Sequence, residues 1–278
     1  MQFYTNGLGA NAGDTLVTCE GLIMSQRVIW VNSATGNDGS PTFGYDREEP
    51  LQTVGAAVTV AFPGDIIVLM AGFYEVILAP IVPWEGVAIV GEGSVGGLPS
   101  CQLVNNQAAG EIFTVSAIGV EFRNIRFPPN QQANTQPKIE VTADNCRIIG
   151  CYFEGGPNDH FAQVRYSSIY ETTVDYEVIC NTTFISIAPT CADLPYTGVE
   201  FDGASYYLTM DGVTFDDSQF GWQWDYSFIS TIGLAYFRKI GISLLHGASM
   251  NVVGVSQAGA IGWLNTQTRT GGGRVDWY

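Results

Sequence analysis

Cations are what this chain most lacks. Eleven Lys and Arg and two His stand against 27 Asp and Glu in 278 residues, a formal net charge of −16. Such a surface repels phosphate backbones and anionic lipid headgroups at moderate salt, which excludes nucleic acid as an expected partner. Long apolar runs are also missing: none approaches the roughly 20 residues of a membrane-spanning helix, so no membrane insertion is expected. The opening MQFYTNGLGANAGD has neither the basic start nor the apolar centre of a secretory signal. Synthesis in the cytoplasm is the expectation if this is the whole gene product. No CxxC pair occurs among Cys19, Cys101, Cys146, Cys151, Cys180 and Cys191, and Cys146 and Cys151 lie in apolar segments. Buried free thiols are therefore expected ahead of disulfides or a metal site, with no cofactor.

What is present points to β structure. Apolar residues make up 46% and charged residues only 14%, with 33 Gly, so the surface must be finished by Asn, Gln, Ser, Thr and Gly rather than by the Glu, Lys and Arg of exposed helices. The length suits one or two domains.

Repetition then organises the chain. Six segments align without gaps: GVAIVGEGS, GVEFRNIRF, NCRIIGCYF, YEVICNTTF, YYLTMDGVTF and LAYFRKIGI, ending at Ser94, Phe127, Phe153, Phe184, Phe215 and Ile242. Five residues before each end stands a large apolar residue: Ile89, Phe122, Ile148, Ile179, Met210 and Phe237. Three residues before it stand Gly91, Asn124, Gly150, Asn181 and Gly212, then Lys239. Gly and Asn tolerate a left-handed backbone at least cost, which is what a sharp corner between two short strands requires. Strand alternation then aims the flanking apolar residues, Ile125 and Phe127 or Cys151 and Phe153, into one shared interior. The expected fold is a stacked coil of short parallel strands. Its first end needs a cover, and the small, one-sidedly apolar LQTVGAAVTVA, Leu51 to Ala61, is read as a short capping helix, with an ordinary connecting helix as the alternative.

The order WVN, GNDG, LQTVGAAV and PGDIIVLMAGFYE, followed by repeats of 26 to 33 residues, resembles the entry to right-handed parallel β-helix proteins of the pectin-lyase-like superfamily. The resemblance implies an all-β, single-stranded right-handed β-helix over residues 29–254. It leaves 1–28 as an N-terminal attachment or oligomer segment and 255–278 as a C-terminal tail. It is almost silent on activity, since the superfamily holds lyases, hydrolases, epimerases, adhesins and virus tailspikes.

Chemistry on such a scaffold needs two or three converging carboxylates, one to donate a proton and another to supply or activate the nucleophile. The nearest local set is Asp211, Asp216 and Asp217 with Glu200 and Asp202, and His246 one repeat later. By resemblance, polygalacturonases use a paired Asp, an upstream Asp, Gly-His-Gly and a basic pair. Here Asp216-Asp217 and Leu245-His246-Gly247 match in part, and the upstream triplet and the basic pair are missing. Solvated turn residues are the competing reading. Pectate lyases carry RxPxxR; Arg126-Phe127-Pro128-Pro129-Asn130-Gln131 begins that pattern without its second Arg. A Ca²⁺ held by Asn37 and Asp38 competes with a plain Asx turn there.

In FGWQWDYSF, Trp222, Trp224 and Tyr226 alternate, and Tyr166, Tyr170 and Tyr206 from nearby repeats extend the set. Three readings stay open: a subunit interface, a sugar-stacking groove, or ordinary core. An acidic chain with extra segments at both ends and an incomplete catalytic set resembles phage tailspikes, head spikes and decoration proteins. By that resemblance it is expected to be a homotrimeric virion component, made in the host cytoplasm, contacting other virion proteins and host-surface polysaccharide without turnover. The alternatives are a polysaccharide-degrading hydrolase or lyase and an extracellular adhesin.

Overall fold

Residues 27–134, 136–156 and 178–185, with Val164, are described side chain and all; outside them the computed structural model describes only the backbone of strands, from Thr15–Val17 to Val275–Asp276. The described chain is all-β apart from one short helix, Val54–Val60, and its long sheets are parallel.

Three ladders of short strands account for those sheets. The first runs Val28–Val31, Ile66–Leu69, Ala88–Gly91, Glu121–Arg123, Arg147–Ile149 and Val178–Cys180, then into the end of Thr197–Asp211. The second runs Tyr74–Ile77, Cys101–Asn105, Ile125–Phe127, Tyr152–Gly155, Thr183–Ser186, Val213–Asp216, Ala235–Arg238 and Val255–Ala258. The third runs Phe113–Val115, Ile139–Val141 and Val164–Ser167 into the beginning of Thr197–Asp211, then Phe220–Ile232 and Ile242–Leu245. The chain visits them in turn, so each strand pairs with its counterpart one circuit on. The long strands Thr197–Asp211 and Phe220–Ile232 pass from the third ladder into the first and merge the two into one 15-stranded sheet.

Register sets the core. Ile29, Ile67, Ile89, Phe122, Ile148 and Ile179 pair in sequence along the first ladder, all fully buried, and the same register continues through Met210, Ile232 and Val252. On the second ladder Phe127, Phe153 and Phe184 stack face to face, with centroids 4.6 and 4.9 Å apart and planes within 10°. Those spacings are the strand separation of about 4.8 Å itself, so the backbone pitch delivers ring stacking without side-chain adjustment. Phe215 and Phe237 continue that register.

Three of the five expected corner residues fall where the repeats place them. Asn124, Gly150 and Asn181 have φ of 53°, 62° and 49°. Asn124 adds what Gly lacks, since its Nδ2 donates to the carbonyls of Gly91 at 2.7 Å and Gly93 at 3.0 Å, tying one circuit to the one before. Gly91 is not left-handed: it ends a strand, and a Cβ there would lie 2.2 Å from the Asn124 carbonyl oxygen. The left-handed residue in that circuit is Gly93, φ 74°, because a small hairpin, Ser94–Val95 against Leu98–Pro99, is inserted before the second ladder resumes at Cys101. Gly212 lies outside the described residues. The sixth segment is also out of frame: Phe237 pairs with Phe215, so the counterpart of Met210 is Ile232.

A second set of left-handed residues turns the chain back into the first ladder. Gly64, Gly86, Gly119 and Asn145 have φ of 84°, 66°, 77° and 59°. Each precedes a first-ladder strand by two residues, and the turns are hydrogen-bonded one to the next, Gly64 N to the Glu85 carbonyl, Gly86 N to that of Ile118 and Gly119 N to that of Asp144.

The helix closes the first end of the stack. Val54 and Ala57 are fully buried and join the main core cluster. The helix is shorter than the expected span from Leu51 to Ala61, because Leu51 pairs with Val31 as an isolated bridge and Thr53 caps, accepting from Ala56 N at 3.1 Å. Asp38 supports that start, accepting from the Gln52 N–H at 2.6 Å and the Thr53 hydroxyl at 2.7 Å. The PGD turn is fixed by Asp65, whose carboxylate takes the Phe62 N–H at 2.7 Å and the Arg27 guanidinium; Arg27 also donates to the Val60 carbonyl at 2.9 Å.

Phe153→Ala removes the middle ring of the stacked row and is expected to cost about 3–5 kcal/mol in denaturant unfolding. Tyr152→Ala, one residue away and half-buried on the opposite side of the strand, should cost about 1 kcal/mol. Equal costs would mean that the stacked row does not carry the core.

Candidate functional site

The carboxylates singled out by the sequence do not share a face. Asp211 ends the first-ladder portion of its strand, in register with Cys180. Asp216 is on the second ladder, between Ile185 and Arg238. Glu200 and Asp202 are on the third, paired with Arg165 and Ser167. Four acids are thus spread over three ladders, with Asp211 and Asp216 on different ones. Asp217 and His246, the remaining members of the candidate set, lie outside the described residues.

The aromatic run is divided in the same way. Trp222 falls in register with Phe113, Ile139, Val164 and Val199, and Trp224 with Val115, Val141, Tyr166 and Phe201. The members of those columns whose burial is described, Phe113, Ile139, Val164, Val115 and Val141, are all fully buried. Tyr226 pairs with Ala204, beyond a register shift that breaks the alternation after Trp224, and Tyr206 pairs with Ile229 at a further shift. Register carries these two columns on to Trp222 and Trp224, whose side chains lie outside the described residues. Tyr170 lies outside the described residues.

Two other sequence features resolve as structural. Arg126, the start of the incomplete RxPxxR, reaches Glu154 of the next circuit, with Nε 2.8 Å from Oε1. Asn37 accepts from the Gly39 N–H at 2.9 Å in a plain Asx turn, while Asp38 spends both carboxylate oxygens on the helix start. Among the described residues no group of three His, Cys, Asp or Glu is placed to hold a metal ion. Cys101, Cys146, Cys151 and Cys180 are free thiols. Burial pushes Cys151 up to about 12, and Cys101 is raised by the same cause, so neither supplies a thiolate nucleophile near neutral pH. Cys19 and Cys191 lie outside the described residues.

The one described acid with a large shift is Glu75, which sequence reasoning missed. Its register partner is Leu103, a fully buried position, so alternation carries this carboxylate inward beneath the capping helix. Oε2 accepts from the first helical N–H, Val54, at 2.8 Å. Desolvation raises its pKa from 4.5 to about 7; the Val54 hydrogen bond opposes the rise and the Asp38 charge adds to it. The signal was present in the sequence as an acid in the alternating FYEVI, but nothing local distinguishes an inward Glu from an outward one.

Compared with known proteins, the chain matches no family model and no curated protein. Among solved structures, a rhamnogalacturonan lyase is similar at a TM-score of 0.37 and 12% identity, over 84% of this chain and 62% of that one. The chain therefore spans less than two thirds of that protein's length. The class that the described residues define is an all-β protein of parallel ladders with one short helix among those residues.

Glu75 makes stability depend on pH with a definite sign. The folded chain holds this proton to higher pH than the unfolded chain, so the contribution is fully present below about 4.5 and is lost as pH rises through about 7. Up to about 3 kcal/mol is at stake across that window. Glu75→Gln keeps an acceptor for Val54 and removes the titration. Thermal melts of both proteins should show the variant gaining on wild type from pH 4.5 to pH 8, and a constant difference would contradict the assignment.

Proposed function

We propose that the chain is a right-handed, single-stranded parallel β-helix that works as a non-catalytic rod, binding host-surface glycans in the manner of phage spike and decoration proteins. Right-handedness accords with the near-universal hand of parallel crossover connections. What supports the absence of turnover is that the candidate acids do not gather as one set: Asp211 stands on the first ladder, Asp216 on the second, and Glu200 with Asp202 on the third. A hydrolytic site built from the whole set would need its acids brought to the two sides of one bond. On this reading residues 1–28 attach the rod to other virion proteins, the chain is a homotrimer, and it resides on the particle after synthesis in the host cytoplasm.

The full chain is expected to be retained on capsular polysaccharide of its host while releasing neither reducing ends nor unsaturated products from capsular or pectic polysaccharide. Sustained release that Asp217→Asn abolishes would replace the rod by a polysaccharide lyase or hydrolase. Light scattering should report three times the 30.0 kDa chain mass, and a monomer at micromolar concentration counts against the trimer.

A further inference from the structure

Alternation on the second ladder sends Leu103, Ile125, Phe127, Phe153 and Phe184 inward, all fully buried. The residues between them project from the other side of the sheet. Register lines these up as Tyr74, Gln102, Arg126, Tyr152 and Thr183, one from each of five successive circuits. Tyr74 is 46% exposed and the other four are half-buried. No member is aliphatic, and their polar groups are only partly spent. The Gln102 carboxamide and the Thr183 hydroxyl make no hydrogen bond among the described residues. Arg126 sets both Nε and Nη2 on one oxygen of the buried Glu154, at 2.8 and 2.7 Å, which cancels its charge in place and leaves Nη1 to donate outward. The Tyr74 hydroxyl accepts from Gln131 at 3.4 Å. Gln131 belongs to a segment that folds back over earlier circuits, its N–H donating to the Asn105 carbonyl at 2.9 Å and Gln132 Nε2 to Asn106 Oδ1 at 2.9 Å. Two exposed glutamines therefore stand beside the first rungs of the column.

We infer that this column is a binding site for an uncharged polysaccharide, laid along the second ladder with its sugars at successive rungs. The inference rests on the glycan-binding reading above and adds to it a place and a charge class. Sugar hydroxyls need donors and acceptors together, which a carboxamide, a guanidinium edge and a hydroxyl supply, while the C–H faces of pyranose rings pack on tyrosine. The rung spacing of about 4.8 Å is close to the advance of one pyranose along an extended chain, so each circuit meets one sugar. Charge decides the class. A net charge of −16 repels a polyanion, and the column's one cation is neutralised by Glu154, so nothing here selects a uronate or a sulfate. A protein partner fits less well, because the centre of a protein interface is built on large apolar anchors. The exposed Phe62, Trp84 and Ile118 that could serve as such anchors lie in the turns before first-ladder strands, away from this column.

The test reads binding of the full chain to an array of immobilised bacterial capsular and O-polysaccharides, half of them uncharged and half bearing uronic acid. Uncharged members are expected to bind. Tyr74→Ala and Gln102→Glu should each weaken that binding about tenfold or more, with thermal melts like those of wild type. Thr114→Ala, between the buried Phe113 and Val115 of the third ladder, should leave it unchanged. Binding confined to uronate-bearing polysaccharides, or binding that both column variants leave intact, would overturn the inference while the glycan-binding rod stands. Binding to no polysaccharide would remove the rod reading and the column with it. Light scattering of Gln102→Glu supplies the last arm: a mass that differs from wild type would make this face a contact between copies of the chain and overturn the site.

Discussion

A parallel ladder advances about 4.8 Å per rung whatever its sequence, so an inward side chain always meets its counterpart of the next circuit at close to van der Waals distance. That spacing is the constraint on which everything else rests. It lets Phe127, Phe153 and Phe184 stack with planes within 10° and lets six fully buried residues from Ile29 to Ile179 line one column. It also forbids slippage, because a one-residue error in any circuit would turn its apolar set to the outside. The corners protect the register. A single left-handed residue reverses direction without adding length, so Asn124, Gly150 and Asn181 act on the core although they lie outside it. Where the chain departs from this economy, at the Ser94–Pro99 hairpin, Gly91 must instead be Gly for space, since the next circuit's Asn124 carbonyl passes where its Cβ would stand.

The parts legible in the sequence are those set by periodicity. Ile89, Phe122, Ile148, Ile179 and Met210 could be aligned because a buried column demands a large apolar residue at every pass, and register pairs all five. The sixth member was misplaced because LAYFRKIGI offers an apolar residue in two frames; only pairing with Phe215 shows that Phe237 belongs to the other ladder. The second corner stood at the head of the quoted segments as Gly86, Gly119 and Asn145, and it went unread because a Gly before a strand has many uses. Long-range polar roles were not legible at all. Asp38 serves a helix start 15 residues away, and Asp65 serves Arg27, 38 residues back. Neither distance leaves a local trace.

The ends of such a stack present a different problem from its middle, since the last rung has no neighbour to cover its backbone and interior. At the first end the helix covers the interior with Val54 and Ala57, yet a short helix also brings unpaired N–H groups onto an apolar surface. Glu75 resolves that conflict by occupying an inward position with an acceptor, and its raised pKa is the consequence of putting a carboxylate there. Arg27 holds the adjoining turn through Asp65 and lies over the Tyr45 and Phe62 rings, so the entry of the chain and its cap are fastened at one point.

The same register that builds the core limits what the surface can do. Residues that share a register position return on the neighbouring strand in line, so a groove along a ladder is written as a column, not as a local cluster of sequence. Glu140, Arg165, Glu200 and Gln223 form such a column on the third ladder, from residues 83 positions apart in the chain. Asp211 and Asp216, five positions apart, belong to different ladders. Proximity in sequence therefore misleads wherever a corner intervenes, and separation by a whole circuit brings residues together.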